Sequence, residues 1–205
     1  MSGLPAGLPP ELLVSAYAQG YFPMAEPDSD DIYWFDPDPR TVLPFEGLHV
    51  SRSLARTLRR GTFVVTFDQC FRAVMQACAE PAPGREETWI SEDFVEAYSE
   101  LFALGFAHSA EVWQQDRLVG GVYGVSIGGF FAGESMFSRV SNGSKIALVS
   151  LMRHLQGRGY VLFDVQFMTE HLRRLGAVEI ARADYKQRLA RAIHLPVTFD
   201  WATNC

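Results

Sequence analysis

The chain has 205 residues, 48% of them hydrophobic and 13% aromatic, and a formal net charge of −6. That suits one sizeable core, with or without a small appendage, in a soluble globular protein. The longest uncharged run, Leu118 to Gly133, is broken by five glycines and is shorter than the ~20 residues a bilayer helix needs, which excludes a membrane span.

The N-terminus lacks the basic, apolar and small-residue pattern of a signal peptide, so a cytoplasmic protein is expected. A first helix runs from Pro10 to Gln19, opened by Pro9-Pro10 and stopped by Gly20, with Leu12, Leu13, Ala16 and Tyr17 on its apolar side. The proline-rich stretch from Pro23 to Pro44 reads as an irregular connection or small substructure. The acidity is local: residues 1–50 hold eight acids against the single Arg40, while the remainder is close to neutral. A net-acidic chain is no general nucleic-acid binder, yet a compact basic face can attract one RNA.

Such a face follows. Between Ser51, a predicted N-cap, and Gly61, a predicted stop, Arg52, Arg56, Arg59 and Arg60 share one side of a helix, with Leu54 and Leu58 on the other. Two readings stand: a solvated helix face, or a contact to phosphates, which guanidinium forks suit. Next come a strand from Thr62 to Phe67 and a helix from Asp68 to Ala79, then a helix capped by Ser91 that runs through Leu104 to Gly105. Three antiparallel strands are predicted at His108–Gln115, Leu118–Ser126 and Gly129–Glu134. A helix Ser144–Gln156, a strand Tyr160–Val165, a short helix Thr169–Leu175 and a helix Asp184–His194 complete the order. The class is α+β, with helices covering one central, mostly antiparallel sheet, and the order is similar to that of an acetyltransferase-like (GNAT-type) domain.

Several chemistries are set aside. Cys70, Cys78 and Cys205 are spread out with no paired spacing, so neither zinc nor a disulfide framework is expected; the first two read as buried helical thiols and the third as a frayed tail. His49, His108, His154, His171 and His194 have no metal-ligand spacing. The Gly133-Glu134-Ser135-Met136-Phe137 segment lacks the last glycine of a nucleophile elbow, and Asn142-Gly143-Ser144-Lys145 lacks the glycine loop that cradles nucleotide phosphates. Neither Gln156-Gly157-Arg158-Gly159-Tyr160-Val161 nor Arg173-Arg174-Leu175-Gly176-Ala177-Val178 completes the pyrophosphate loop of acyl-coenzyme users, so no cofactor is expected.

Two carboxylates stand out. Glu134 ends a long uncharged run and is either a strand-end group that reaches water or a carboxylate with partners or a task at the rim of a core. Asp164 lies in Tyr160-Val161-Leu162-Phe163-Asp164-Val165-Gln166, where strand alternation puts Asp164 and Gln166 on one face with their polar heads in reach. They are either a structural pair or a functional one.

Gly20-Tyr21-Phe22-Pro23, Trp34-Phe35-Asp36-Pro37-Asp38-Pro39-Arg40, Thr88-Trp89-Ile90, His108 to Trp113, Leu118 to Gly124, Phe130 to Ser138, Ser144-Lys145 and Phe163 to Gln166 occur in order over nearly the whole length. Together they closely resemble the leucyl/phenylalanyl-tRNA-protein transferase family. The resemblance implies an acetyltransferase-like domain over residues 46–205 behind a small N-terminal domain over 1–45. It implies a monomer that moves Leu or Phe from aminoacyl-tRNA to proteins beginning with Arg or Lys, marking them for degradation. Other readings are an acyltransferase of this fold with another donor, or a non-catalytic tRNA-binding module.

The implied catalytic residues are Asp164, Gln166 and Glu134: Asp164 polarises Gln166, whose oxygen accepts a hydrogen bond from the attacking amine, while Glu134 binds the cationic acceptor or positions the ester. Phe131, Met136, Leu148, Leu151 and Phe163 supply an apolar lining for the donor side chain, or are simple core. Tyr17 and Trp89 match positions near the terminal adenosine, and Lys145 joins the four arginines as an RNA-binding candidate. The chain departs from the family pattern at Met24, where many members have tryptophan, at Val165, where cysteine is common, and at Thr169, where some have asparagine. Its shorter N-terminal region leads us to expect weaker or differently distributed tRNA contacts.

Overall fold

In a computed structural model, residues 8–25, 31–81 and 88–200 are described. The elements are α1 (Pro10–Ala18), β1 (Phe22–Ala25), β2 (Ile32–Phe35), β3 (Arg40–Val42), α2 (Arg52–Arg59), β4 (Val64–Phe67), α3 (Phe71–Ala79) and α4 (Glu92–Ala103). Then follow β5 (Ala107–Gln114), β6 (Arg117–Ile127), β7 (Phe130–Ser138), α5 (Gly143–Arg158), β8 (Leu162–Gln166), α6 (Glu170–Arg174), β9 (Val178–Ile180) and α7 (Arg182–Ala192). A seven-stranded sheet has the spatial order β4-β5-β6-β7-β8-β3-β9. Every neighbouring pair in it is antiparallel except β7 and β8, which run parallel.

Strand alternation sends side chains to two cores, one on each face of this sheet. Phe130, Ala132 and Leu162 pack with residues of α1, α3, α4 and α7, while Phe131, Phe163 and Val165 pack with α2, α5 and α6. The expected mixed architecture, a mostly antiparallel sheet covered by helices, is therefore present. Local signals act as predicted at α2, where the Ser51 hydroxyl accepts the Leu54 N–H at 3.2 Å and Leu54 is buried. Ser91 stands before α4 but its side chain makes no capping bond, so Glu92 and Asp93 supply what stabilises that first turn. Cys78 is buried in α3, whereas Cys70 precedes that helix and is half-buried; Cys205 lies outside the described residues.

Of the two readings of the Pro23–Pro44 stretch the small substructure holds among the described residues: β1 and β2 pair with Pro23 opposite Trp34, and a two-stranded ribbon tolerates a proline that cannot donate to the ladder. Two sequence expectations need correction. Residues 40–42, inside the expected N-terminal segment, form β3 between β8 and β9 of the large sheet, and β9 was not predicted at all. These strands have three residues each, too few to display a period. Finally, β7 continues to Ser138, which places Glu134 within a strand and not at its end.

Candidate functional site

Two departures from regular sheet geometry create the site. The parallel ladder between β7 and β8 begins at Phe130 opposite Leu162 and ends at Ala132 opposite Asp164. Beyond that point the two strands diverge and leave a cleft of about 290 Å³ with Gly133, Glu134 and Ser135 on one side and Val165 and Gln166 on the other. Between β6 and β7, Tyr123 faces Ser135 while the next residue, Gly124, faces Gly133, so Glu134 is an inserted, bulged residue with no cross-strand partner. The packing carries the same signature: Ala132 and Phe137 enter one core although five residues apart, a spacing that strict alternation forbids. Gly124 permits this close approach, since a Cβ there would collide with the Ala132 carbonyl and the Phe131 ring.

Around the bulge runs a chain of buried polar groups. The Tyr98 and Tyr17 hydroxyls lie 2.5 Å apart, both rings fully buried, and Tyr17 hydrogen-bonds Glu134. Burial, and then the Glu134 charge, hold both phenols well above their ordinary pKa, so they remain neutral donors. Glu134 Oε1 also accepts from Gln166 Nε2 at 3.2 Å. Burial pushes the Glu134 carboxyl up to about 8, a rise that the Tyr17 hydrogen bond only partly offsets.

Asp164 lies behind the cleft and is fully buried. Its carboxylate accepts Arg40 Nε at 2.9 Å and Arg40 Nη2 at 2.5 Å, the Tyr185 hydroxyl at 2.8 Å and the Gln166 backbone N–H at 2.9 Å. Arg40, also fully buried, donates its remaining arm to the Gly20 carbonyl and is sandwiched 4.7 Å from the Phe22 centroid and 4.4 Å from that of Tyr185. Burial works against the guanidinium charge, but the Asp164 carboxylate outweighs it and the pKa of Arg40 ends above its ordinary value. Asp164 thus meets Gln166 through the backbone, and the expected contact between their side chains is replaced by the one from Gln166 to Glu134. The reason is local: Gln166 sits at φ 59°, in the left-handed region, where strand alternation no longer sets the side-chain direction.

Of the residues proposed from sequence, Glu134, Gln166, Met24, Trp89, Met136, Leu148, Phe163 and Thr169 line the cleft. Phe131 and Leu151 are not on its wall; both are fully buried in the core behind it. Tyr17 also lies inside the protein, beneath Glu134. The arginine face is exposed, none of its four members has an ion-pair partner among the described residues, and α2 packs on α5, the helix that lends Leu148 to the cleft. Lys145 is half-buried on the same α5.

Sequence reasoning assigned no role to Arg40, Tyr98 or Tyr185, or to the cleft residues Phe22 and Phe167, whose rings meet edge to face with centroids 5.6 Å apart. Arg40 carried one signal that went unused. It is the single cation of an acidic N-terminal segment and opens the β-forming, apolar run Arg40-Thr41-Val42-Leu43.

The family model described as leucyl/phenylalanyl-tRNA protein transferase matches residues 42–190, and that of the N-terminal domain of the same family matches residues 7–38. A leucyl/phenylalanyl-tRNA–protein transferase of Herpetosiphon aurantiacus is 53% identical over 193 residues, which are 94% of this chain and 98% of the relative. One of Rhodospirillum rubrum is 54% identical over 187 residues, covering 91% of this chain and 88% of the relative. Among solved structures, L-PGS from Bacillus licheniformis superimposes with a TM-score of 0.43 at 13% identity, over 78% of this chain and 54% of that one. With two adjoining family models spanning most of its length and relatives identical at every second position, the chain belongs to the leucyl/phenylalanyl-tRNA protein transferase family.

Proposed function

We propose that the protein transfers leucine or phenylalanine from aminoacyl-tRNA to the N-terminal α-amine of proteins beginning with Arg or Lys, in the cytoplasm and as a monomer. The carrying observation is the pairing of Glu134 with Gln166 across the diverging ends of β7 and β8, at the edge of an apolar cleft, in a member of this family. The aminoacyl ester is already activated and an α-amine, with a pKa near ~8, is partly neutral at cellular pH, so orientation and modest proton handling suffice. The amine nitrogen bonds to the ester carbonyl carbon, the bond to the ribose oxygen breaks, and the amine's proton ends on that oxygen.

Gln166 gives its amide N–H to Glu134, which leaves its carbonyl oxygen to accept a hydrogen bond from the attacking amine. Asp164 and Arg40 hold the Gln166 backbone in its left-handed conformation and serve the reaction through it. Met136, Leu148 and Phe163 receive the donor side chain, a sulfur-containing side chain among them adapting to Leu or Phe. Trp89 and the Phe22–Phe167 pair offer ring surface at the same cleft for the terminal adenosine. Cellular marking for degradation follows from the new N-terminal residue.

With leucyl-tRNA and an Arg-starting peptide the protein is expected to form a Leu-Arg peptide bond, and with acetyl-CoA and the same peptide to form nothing. Acetylation in place of leucyl transfer would overturn the assignment. For the RNA, Arg56→Glu with Arg59→Glu is expected to weaken leucyl-tRNA binding at least tenfold and to flatten its dependence on salt, because fewer counterions are released. An unchanged salt slope would return α2 to a solvated face.

A further inference from the structure

A second cavity, of about 430 Å³, is built on the same elements that wall the cleft. Helix α5 gives Leu148 to the cleft and Lys145, nearly one turn earlier, to this cavity. The α6 segment divides in the same way: Thr169 and Leu172 face the cleft, and His171 and Arg174 line the cavity. The wall is completed by His49, by Ser51, the N-cap of the arginine-bearing α2, and by Leu54 and Leu175, and no carboxylate among the described residues lines it. The cavity therefore adjoins the start of the basic helix and shares two walls with the cleft.

Its chemistry is that of an anion site. Lys145 and Arg174 bring two cations to one hollow, and Arg174 is held by Glu170 through Nε alone, at 3.0 Å. Burial first, and then the charges of Lys145 and Arg174, depress the pKa of His171 below its ordinary value. His171 Nε2 is buried with no hydrogen-bond partner among the described residues, which a ligand or water would relieve. Two cationic side chains lining one hollow, with no carboxylate among its lining residues, suit a ligand carrying negative charge and several acceptor oxygens.

We infer that this cavity holds a backbone phosphate of the RNA strand that leads from α2 into the cleft, bound by Lys145 and Arg174. The inference rests on the tRNA-dependent reading of the cleft and extends it to a position between the α2 contact and the reacting ester. It makes Lys145 and Arg174 binding residues for the strand and leaves the chemistry to Glu134 and Gln166.

The test compares three forms of the full chain: wild type, the cavity pair Lys145→Gln with Arg174→Gln, and the helix pair Arg56→Glu with Arg59→Glu. Each is titrated with leucyl-tRNA over a range of KCl and assayed with two donors, leucyl-tRNA and leucyl-adenosine, the latter lacking every upstream phosphate. The cavity pair is expected to weaken leucyl-tRNA binding at least tenfold and to reduce the salt slope by about 1. It is also expected to lower the ratio of kcat/KM for leucyl-tRNA to that for leucyl-adenosine about tenfold, and Lys145→Arg with Arg174→Lys to restore most of both.

An unchanged salt slope, or equal losses with the two donors, overturns the inference. If the helix pair flattens the slope while the cavity pair does not, the cavity fails and the reading of α2 stands; if neither does, both fail. Inorganic phosphate supplies the remaining arm. Should it raise the melting temperature of wild type but not of the cavity pair, with tRNA binding alike in both, the cavity is a free-anion site and the inference is wrong.

Discussion

Arg40→Met is expected to cost the fold about 3–5 kcal/mol, because it leaves the Asp164 carboxylate buried with only the Tyr185 hydroxyl and the Gln166 N–H to compensate its charge. In a domain of this size that lowers the melting temperature by on the order of 10 °C. Asp164→Leu alone strands the guanidinium in the same way, whereas the double substitution removes both charges and is expected to recover much of the loss. A near-additive double mutant would mean that the two groups do not stabilise each other, and the pairing described above would be wrong.

The conservative change separates support from chemistry. Arg40→Lys keeps a charge but loses the fork that holds both carboxylate oxygens, so single-turnover transfer is expected to fall at least tenfold while KM for aminoacyl-tRNA stays within about twofold. A loss of turnover that merely tracks melting temperature across Arg40→Lys, Arg40→Met and Tyr185→Phe would reduce this cluster to scaffolding.

Glu134→Gln is expected to change how stability depends on pH. The sign follows from where the proton resides: the folded protein pushes the pKa of the Glu134 carboxyl up to about 8, against an ordinary value of 4.5. Below pH ~4.5 both folded and unfolded chains are protonated at this group and it contributes no pH dependence. As the pH rises from there to about 8 the unfolded chain releases the proton first, so wild type loses stability progressively, and above 8 the penalty is complete. Glutamine cannot titrate. The variant is expected to gain on wild type across that window, by on the order of 3 kcal/mol at pH 9, a figure reduced from ~1.4 kcal/mol per pKa unit because the carboxyl meets water through the cleft. Parallel stability curves for the two proteins between pH 5 and pH 9 would show that Glu134 is ionised throughout and that its burial carries no cost. Transfer should fall in the variant even where it is more stable, since an N–H donor replaces one of the two carboxyl oxygens that meet Tyr17 and Gln166.

Much of this protein is legible in its sequence, for a physical reason that also sets the limit. The Ser51 cap with its arginine face and the glycine-interrupted apolar run that becomes β6 are written within ten residues or so, and each follows from interactions that close over that distance. Glu134 and Asp164 are visible as candidates because a charge among apolar neighbours needs a partner wherever the chain folds. The identity of that partner is another matter. Arg40 reaches Asp164 across 124 positions and Tyr17 reaches Tyr98 across 81, and no local pattern encodes either pairing. Similar contacts hold the described part of the acidic stretch, with Asp36 bound to Lys186 at 2.9 Å and Asp38 accepting the Arg182 N–H at 3.1 Å.

The bulge was hidden for a related reason: an inserted residue exists only relative to a neighbouring strand, and Glu134 becomes one only when β6 sets the register. Sequence alone thus determined the class of fold, the family likeness and that Glu134 and Asp164 carry charge among apolar neighbours. The tertiary structure alone decided that β7 and β8 part after Ala132 and Asp164, that Glu134 and Gln166 face each other across the gap, and that Phe131 and Leu151 stand behind the wall they were expected to form. Strand divergence and register are properties of pairs of segments, and their free energies depend on contacts that no single stretch of chain contains.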